Sequence, residues 1–355
     1  MKAATSLVAG QRAEPALAEA AVQAALAEAG LSRADQVILF LTREFSRHAQ
    51  PAVLAAARAA GCLSVSGCTA SGLLTERGWH LDQPAAAALV LATDDAPPEA
   101  AAPVLSYSGH SRLPFDWQAG VVRAGLIDAE AATWSHGRVA DDGCAECRLP
   151  GLRARVVRSD GLRRIGEPLA VDAGQAFDVQ RIGGRTAADS LLRALPAEWR
   201  ARPPLHQIAA LRDVDGPGIA ILSINADGSL SLAEALHPGE TINWAIRQPL
   251  AAEEDIRQAL QAARDDFPTA ATIESKAGPR VDGKKPPNFA FMFSCIGRGP
   301  LFYGGEDRDL LAFRDIFPGT PLIGAYGSGQ ITPLVGGNQL FQNTALTLLF
   351  ESAHV

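Results

Sequence analysis

Phe289–Phe350 reads FAFMFSCIGRGPLFYGGEDRDLLAFRDIFPGTPLIGAYGSGQITPLVGGNQLFQNTALTLLF, with apolar runs and glycine-rich polar turns in alternation. Phe289–Phe293 is a continuous apolar run, too short for a helix. Ser294, Cys295, Gly297, Arg298 and Gly299 follow it, as at the carboxyl end of a buried strand. Gly305–Phe317 places Leu310, Leu311, Phe313 and Phe317 at helical spacing. Glu306, Asp307 and Asp309 stand in its first turn, where carboxylates suit the positive end of the helix dipole. The helix is expected to stop at Pro318-Gly319. Pro321–Ala325 is the next strand and leads into a loop, Tyr326-Gly327-Ser328-Gly329-Gln330; Asn343–Phe350 is the last strand. Such a strand-helix-strand corner favours ligand binding, because glycines let backbone N–H groups approach a bound group closely.

Upstream, Glu14–Ala29 has helical spacing with Gly30 as its stop, Val37–Thr42 reads as a buried strand, and Pro51–Ala60 is a helix ended by Gly61. The strand Leu63–Ser66 then meets a loop, Gly67-Cys68-Thr69-Ala70-Ser71-Gly72. A turn near Arg77-Gly78 precedes the strand Ala85–Ala92. Both halves therefore run strand, polar loop, helix, strand, G-x-x-x-S-G, turn, strand, and Leu250–Phe267 takes the place of the helix Glu14–Ala29. Between them, Trp117–Leu126 is expected to be a helix, Arg153–Arg158 and Leu169–Val179 strands, and Thr186–Leu195 a helix. Ile219–Ile224 and Ser229–Ala235 flank the hairpin turn Asn225-Ala226-Asp227-Gly228, and Thr241–Arg247 adds a strand. Phe267–Asn288, rich in glycine, proline and lysine, reads as an inserted loop. The fold class that follows is α/β with mixed α+β character. It comprises two related domains of mixed sheets flanked by helices, at 1–190 and 191–355, with an internal duplication.

The chain has 355 residues, is 47% hydrophobic and carries a net charge of −7 with both signs interspersed, so it lacks the polybasic surface that nucleic-acid binding requires. No apolar run approaches bilayer-spanning length, and the N-terminus lacks a compact apolar core with a cleavage site. Five cysteines, an odd number in a chain of this size, fit a reducing compartment. A cytoplasmic location without nucleic-acid or membrane partners is the expectation.

The motif Phe291–Gly299, followed by Pro321–Ile331 and Gln342-Asn343-Thr344, resembles the C-terminal FIST domain. Ser66–Gly72 and Gly161–Leu169 are similar to its N-terminal counterpart. Members of this family are bacterial sensory modules proposed to bind small molecules such as amino acids, often beside chemotaxis, kinase or cyclic-dinucleotide proteins, and some are haem-binding nitric-oxide sensors. The resemblance implies a stand-alone cytoplasmic sensory and signal-transduction protein that binds a small ligand between the glycine-rich loops. A kinase or a cyclic-dinucleotide enzyme is the implied kind of partner. Many relatives carry Glu after the glycine of each motif, where this chain has Leu73 and Gln330. An ammonium-binding carboxylate is thus absent from both loops.

The residues expected at the ligand are Cys295, Arg298, Tyr326, Ser328, Gln330 and Asn343, with Cys68 and Ser71 as the second wall. Arg298 suits a fork onto a carboxylate or phosphate, or else an ion pair with Glu306, Asp307 or Asp309. Tyr326, Ser328, Gln330 and Asn343 offer directional hydrogen bonds, although Ser328 and Asn343 also suit turn backbone. Cys68 and Cys295 are either a thiol pair or small apolar fillers. Cys144-Ala145-Glu146-Cys147 has the CxxC spacing, but on a strand its thiols face opposite ways. His136 and His237 are the axial candidates if haem is the cofactor, and the absence of CxxCH excludes covalent attachment. A hydrolase or lyase using a loop serine or cysteine is the competing class, although G-x-S-x-G is absent.

Overall fold

The computed structural model describes residues 1–92, 102–212, 216–268 and 284–352. Two compact units emerge: Met1–Ser159 with Asp255–Val355, and Asp160–Glu254. Residue 190, the expected domain boundary, falls inside the second unit. Of the expected loop Phe267–Asn288, residues 269–283 lie outside the described residues.

The first unit holds two six-stranded sheets and one five-stranded sheet. In the first six-stranded sheet the spatial order is Lys2–Ala9, Ala85–Ala92, Gln36–Thr42, Val65–Ala70, Thr133–Ser135 and Arg138–Val139. The second runs Leu152–Ser159, Ala345–Ser352, Phe289–Cys295, Leu322–Gly327, Gly72–Thr75 and Gly78–Leu81. Each sheet is built around one parallel pair. Gln36–Thr42 lies beside Val65–Ala70 with Phe40 opposite Cys68, and Phe289–Cys295 lies beside Leu322–Gly327 with Phe293 opposite Ala325. In each sheet an antiparallel strand, Ala85–Ala92 or Ala345–Ser352, covers the other side of the central strand. The five-stranded sheet runs Cys144–Cys147, Val104–Ser108, Arg123–Ile127, Gly329–Leu334 and Gly337–Phe341.

The helices cover the outer faces. Pro15–Ala29 begins with proline, tolerated where a helix N–H has no partner in any case, and ends at Gly30 in the left-handed region at φ 61°. Val22, Ala25, Ala52 and Val53 from Pro15–Ala29 and Ala49–Ala60 pack on Val37, Leu39 and Val90 of the first sheet. Ile256 and Leu260 of Pro249–Asp265, with Leu310 and Phe313 of Arg308–Ile316, pack on Met292, Leu322 and Leu349 of the second. The inner faces of all three sheets share a core in which Phe40, Tyr107 and Phe293, one ring from each sheet, meet edge to face at centroid distances of 5.5 to 6.2 Å.

The expected class, mixed α/β with several mixed sheets, holds. Two expectations are corrected. The G-x-x-x-S-G segments are not loops: Gly67 to Ala70 and Tyr326-Gly327 lie in strands, and only Ser71 and Ser328 break them. Glycine marks close approach here, since a Cβ on Gly67 would stand 1.8 Å from the Leu39 carbonyl oxygen. Trp117–Leu126 is not a helix but a short 3-10 turn, Phe115–Trp117, followed by the strand Arg123–Ile127. The strands Lys2–Ala9 and Gly337–Phe341 add to those expected.

In the second unit, Leu162–Gln175, Thr241–Arg247, Ile208–Leu211, Ile219–Ile224, Leu230–Leu232 and Asp178–Ile182 pair in that order, and the last also pairs with the first. The antiparallel sheet thereby closes on itself, leaving the pairing of Arg185–Thr186 outside the ring. Its core includes Trp244, Ile182 and Leu191, the last from the helix Ala187–Ala194, whose cap Thr186 accepts the Asp189 N–H at 3.2 Å.

Candidate functional site

After the parallel pair of each six-stranded sheet the chain breaks at a serine and sends its next hairpin into a different sheet. Beyond Ser71, Gly72–Thr75 pairs with Leu322–Gly327; beyond Ser328, Gly329–Leu334 pairs with Arg123–Ile127. This exchange brings both serines to Asp128, the residue that follows Arg123–Ile127.

The Ser71 hydroxyl donates to Asp128 Oδ2 at 2.7 Å, and its backbone N–H donates to the Tyr326 carbonyl at 2.9 Å. The Ser328 hydroxyl donates to the Ile127 carbonyl at 3.1 Å. Arg43, just past the strand Gln36–Thr42, donates from Nη2 to Ser71 Oγ and lies 3.8 Å from Asp128 Oδ2. Alongside, Ser46 and Thr69 share a hydrogen bond of 2.8 Å, and Thr69 Oγ1 accepts the Ala132 N–H at 2.9 Å. Asp128 is only 6% exposed, whereas the Arg43 side chain is 64% exposed. Burial raises the Asp128 carboxyl above the ordinary carboxylate range, while the Ser71 hydroxyl and Arg43 pull it back. The group is a shielded carboxylate beside an accessible guanidinium.

Of the residues expected at the site, Ser71 and Ser328 meet here. Cys295 is near: it is 5% exposed, and its Sγ lies 4.0 Å from the Ser328 carbonyl oxygen. Asn343 adopts a left-handed backbone at φ 57°, and its Oδ1 lies so close to Gly297 that a Cβ there would stand 2.8 Å away. Gln330 is fully buried one residue into Gly329–Leu334. Cys68 is a core thiol raised well above its usual range by burial and then by the Asp128 charge, which suits packing rather than nucleophilic attack.

Arg298 and Tyr326 belong to a different, fully internal network. Arg298 is 2% exposed and forks onto Asp309, with Nε to Oδ2 and Nη2 to Oδ1 both at 2.9 Å. It also donates to the Ser159 carbonyl and hydroxyl oxygens, each at 2.7 Å. Of the two readings left open for Arg298, the ion pair is the one formed. Tyr303 donates to Asp309 at 2.7 Å, and the buried Tyr326 donates its hydroxyl to Asp307. Burial and then the neighbouring Asp309 push the Asp307 carboxyl up to about 6.

All five cysteines are free thiols. Cys144 is half-buried and lines a cleft of about 340 Å³ with His110, Asp116, Trp117, Asp142 and Glu146, while Cys147 is buried. His136 is an exposed turn residue, and His237 is exposed just before the turn at Pro238-Gly239. Among the described residues, no group of three or more His, Cys, Asp or Glu side chains is placed to hold a metal ion. No helix among the described residues is long and apolar enough to cross a membrane.

Sequence reasoning missed Asp128. The signal was the apolar run Ala124–Ile127 closed by a carboxylate, hidden once that run was taken for the end of a helix.

The FIST C domain family model matches residues 187–333. Over that segment the chain is similar to the FIST C domain. The match ends before Asn343. An uncharacterised protein of Mycobacterium tuberculosis is 30% identical over 244 residues, covering 65% of this chain and 60% of that relative. A second, from Mycobacterium bovis, is 29% identical over the same length, covering 65% and 59%. F-box only protein 22 of Homo sapiens is 29% identical over 114 residues, or 31% of this chain and 24% of that protein. The chain thus spans about 60% of the length of the mycobacterial relatives it matches. Ser328 lies inside the matched FIST C segment, and Arg43, Ser71 and Asp128 precede it.

Proposed function

We propose that the chain is a cytoplasmic sensory protein that binds a small zwitterion, of the amino-acid class, where Ser71, Ser328 and Asp128 meet. The observation that carries this reading is the convergence itself. Two serines from separate halves, each at the end of a parallel strand pair, meet beside one shielded carboxylate and an exposed arginine: Ser71 hydrogen-bonds Asp128, and Ser328 bonds the carbonyl of the preceding residue, Ile127. Arg43 suits the ligand's carboxylate as a planar fork, and Asp128 suits its ammonium group. Asp128 thereby supplies, from a third strand, the carboxylate that neither Leu73 nor Gln330 can provide. The FIST resemblance points to the same ligand class. The matching order of the two six-stranded sheets supports an origin of both halves by duplication. Five free thiols support a reducing compartment. Ligand binding would order the serine turns, and a separate signalling protein, such as a kinase or cyclic-dinucleotide enzyme, would read the change.

Calorimetric titration with a panel of amino acids tests the site. At least one should bind, and Arg43→Ala and Asp128→Asn should each weaken it by about tenfold or more, the loss expected for a charge-assisted hydrogen bond. Equal affinity in the wild type and both variants would remove these residues from the site.

A further inference from the structure

We infer that Gln330 is the specificity-determining residue of this site, reading a carboxamide at the far end of the bound molecule. The inference rests on the proposed zwitterion site and adds what lies beyond the head group.

Gln330 is 0% exposed, and neither its Oε1 nor its Nε2 has a hydrogen-bond partner among the described residues. A buried amide normally has both atoms paired, because each unpaired polar group carries a desolvation cost with nothing to offset it. Strand register fixes where this one faces. Tyr107, Leu126, Gln330 and Phe341 stand opposite one another across the five-stranded sheet and therefore share a face. Tyr107 and Leu126 belong to the central core, so Gln330 points inward with them. The Tyr107 hydroxyl, two strands along the same row, is fully buried and likewise unpartnered among the described residues.

This row adjoins the head-group site. Leu126 lies two residues before Asp128, which directly follows the strand, a separation of roughly 7 Å, and Gln330 is the direct neighbour of Leu126. A ligand held by its ammonium group at Asp128 and reaching one such repeat back along the strand, on the face of Leu126, places its terminus at Gln330. An amide offers one donor and one acceptor edge, and its complement is another amide: N–H to Oε1 and C=O to Nε2. An α-amino acid with a side-chain carboxamide has both ends at suitable separation. Because Gln330 is enclosed, the Ser328 turn has to open for the terminus to reach it.

The test is a two-by-two calorimetric titration: L-glutamine and L-methionine, similar in length but only one with an amide, against the wild type and Gln330→Met. The wild type should bind L-glutamine at least about tenfold more tightly than L-methionine, and Gln330→Met should abolish that preference. Without ligand, Gln330→Met should melt at a higher temperature, since it removes the unpaired amide; this also shows that the variant folds. Absence of a preference in the wild type, or its persistence in Gln330→Met, overturns the inference. If Asp128→Asn still weakens amino-acid binding in that case, the head-group site stands and only the role of Gln330 falls. Binding of neither probe overturns the carboxamide assignment, and the amino-acid panel then decides the site on its own.

Discussion

At Arg298 a full charge is held in the interior by the Asp309 fork and by both oxygens of Ser159. Burial favours the neutral form, but the Asp309 charge outweighs it and the guanidinium is held above its ordinary value. Replacing Arg298 leaves the buried Asp309 without its counter-charge. Arg298→Ala should therefore cost about 3–5 kcal/mol of stability by urea denaturation. A loss below about 1 kcal/mol would show the pair to be dispensable. The sequence could name Asp309 only as one of three candidate partners, because helix spacing does not say which carboxylate of a first turn faces inward. Asp128 was less legible still: its role depends on strands distant in sequence coming together, and no local pattern records that.

Among the elements, the helix Arg308–Ile316 has a titratable cap. Asp307 Oδ1 accepts the Leu310 N–H at 2.9 Å, and Oδ2 accepts the Tyr326 hydroxyl. Its carboxyl is pushed up to about 6 by burial and by Asp309, above the ~3.9 of a free aspartate. A raised acid binds more protons folded than unfolded, so its contribution is complete below pH ~4 and is lost as pH rises through about 6. Asp307→Asn keeps a capping acceptor and cannot ionise. Between pH 4 and 7 the wild type should lose on the order of 2–3 kcal/mol relative to Asp307→Asn in denaturant melts. A difference that stays flat over this range would mean that Asp307 is ionised throughout.

Elements of strong period were legible: Pro15–Ala29, Gln36–Thr42, Ala49–Ala60 and Thr241–Arg247 all form close to where apolar spacing and glycine stops place them. The helix Arg308–Ile316 starts later than expected because Gly304 and Gly305 both take positive φ before it. Glycine misled in the strands Val65–Ala70 and Leu322–Gly327. There it marks close packing of backbones, as at Gly67 and at Gly324, where a Cβ would stand 2.1 Å from the Met292 carbonyl oxygen. From sequence alone, a glycine needed for space and a glycine needed for a turn look the same.

For the whole molecule, the central feature is the exchange of hairpins within the first unit. The parallel pair of each six-stranded sheet ends at a serine, and the hairpin that follows completes another sheet, so Ser71, Ser328 and Asp128 meet through pairings between distant segments. The second unit, Asp160–Glu254, has its own closed sheet and core. A ligand at the serine site should therefore protect short, identifiable stretches of backbone. Hydrogen–deuterium exchange of the full chain, with and without a low-molecular-mass filtrate of a cell lysate, measures this directly. Slowed exchange concentrated in peptides spanning Thr69–Gly72, Leu126–Asp128 and Tyr326–Gln330, and lost in Asp128→Asn, is the predicted result. Protection confined to other segments, or the same protection in Asp128→Asn, would contradict the account.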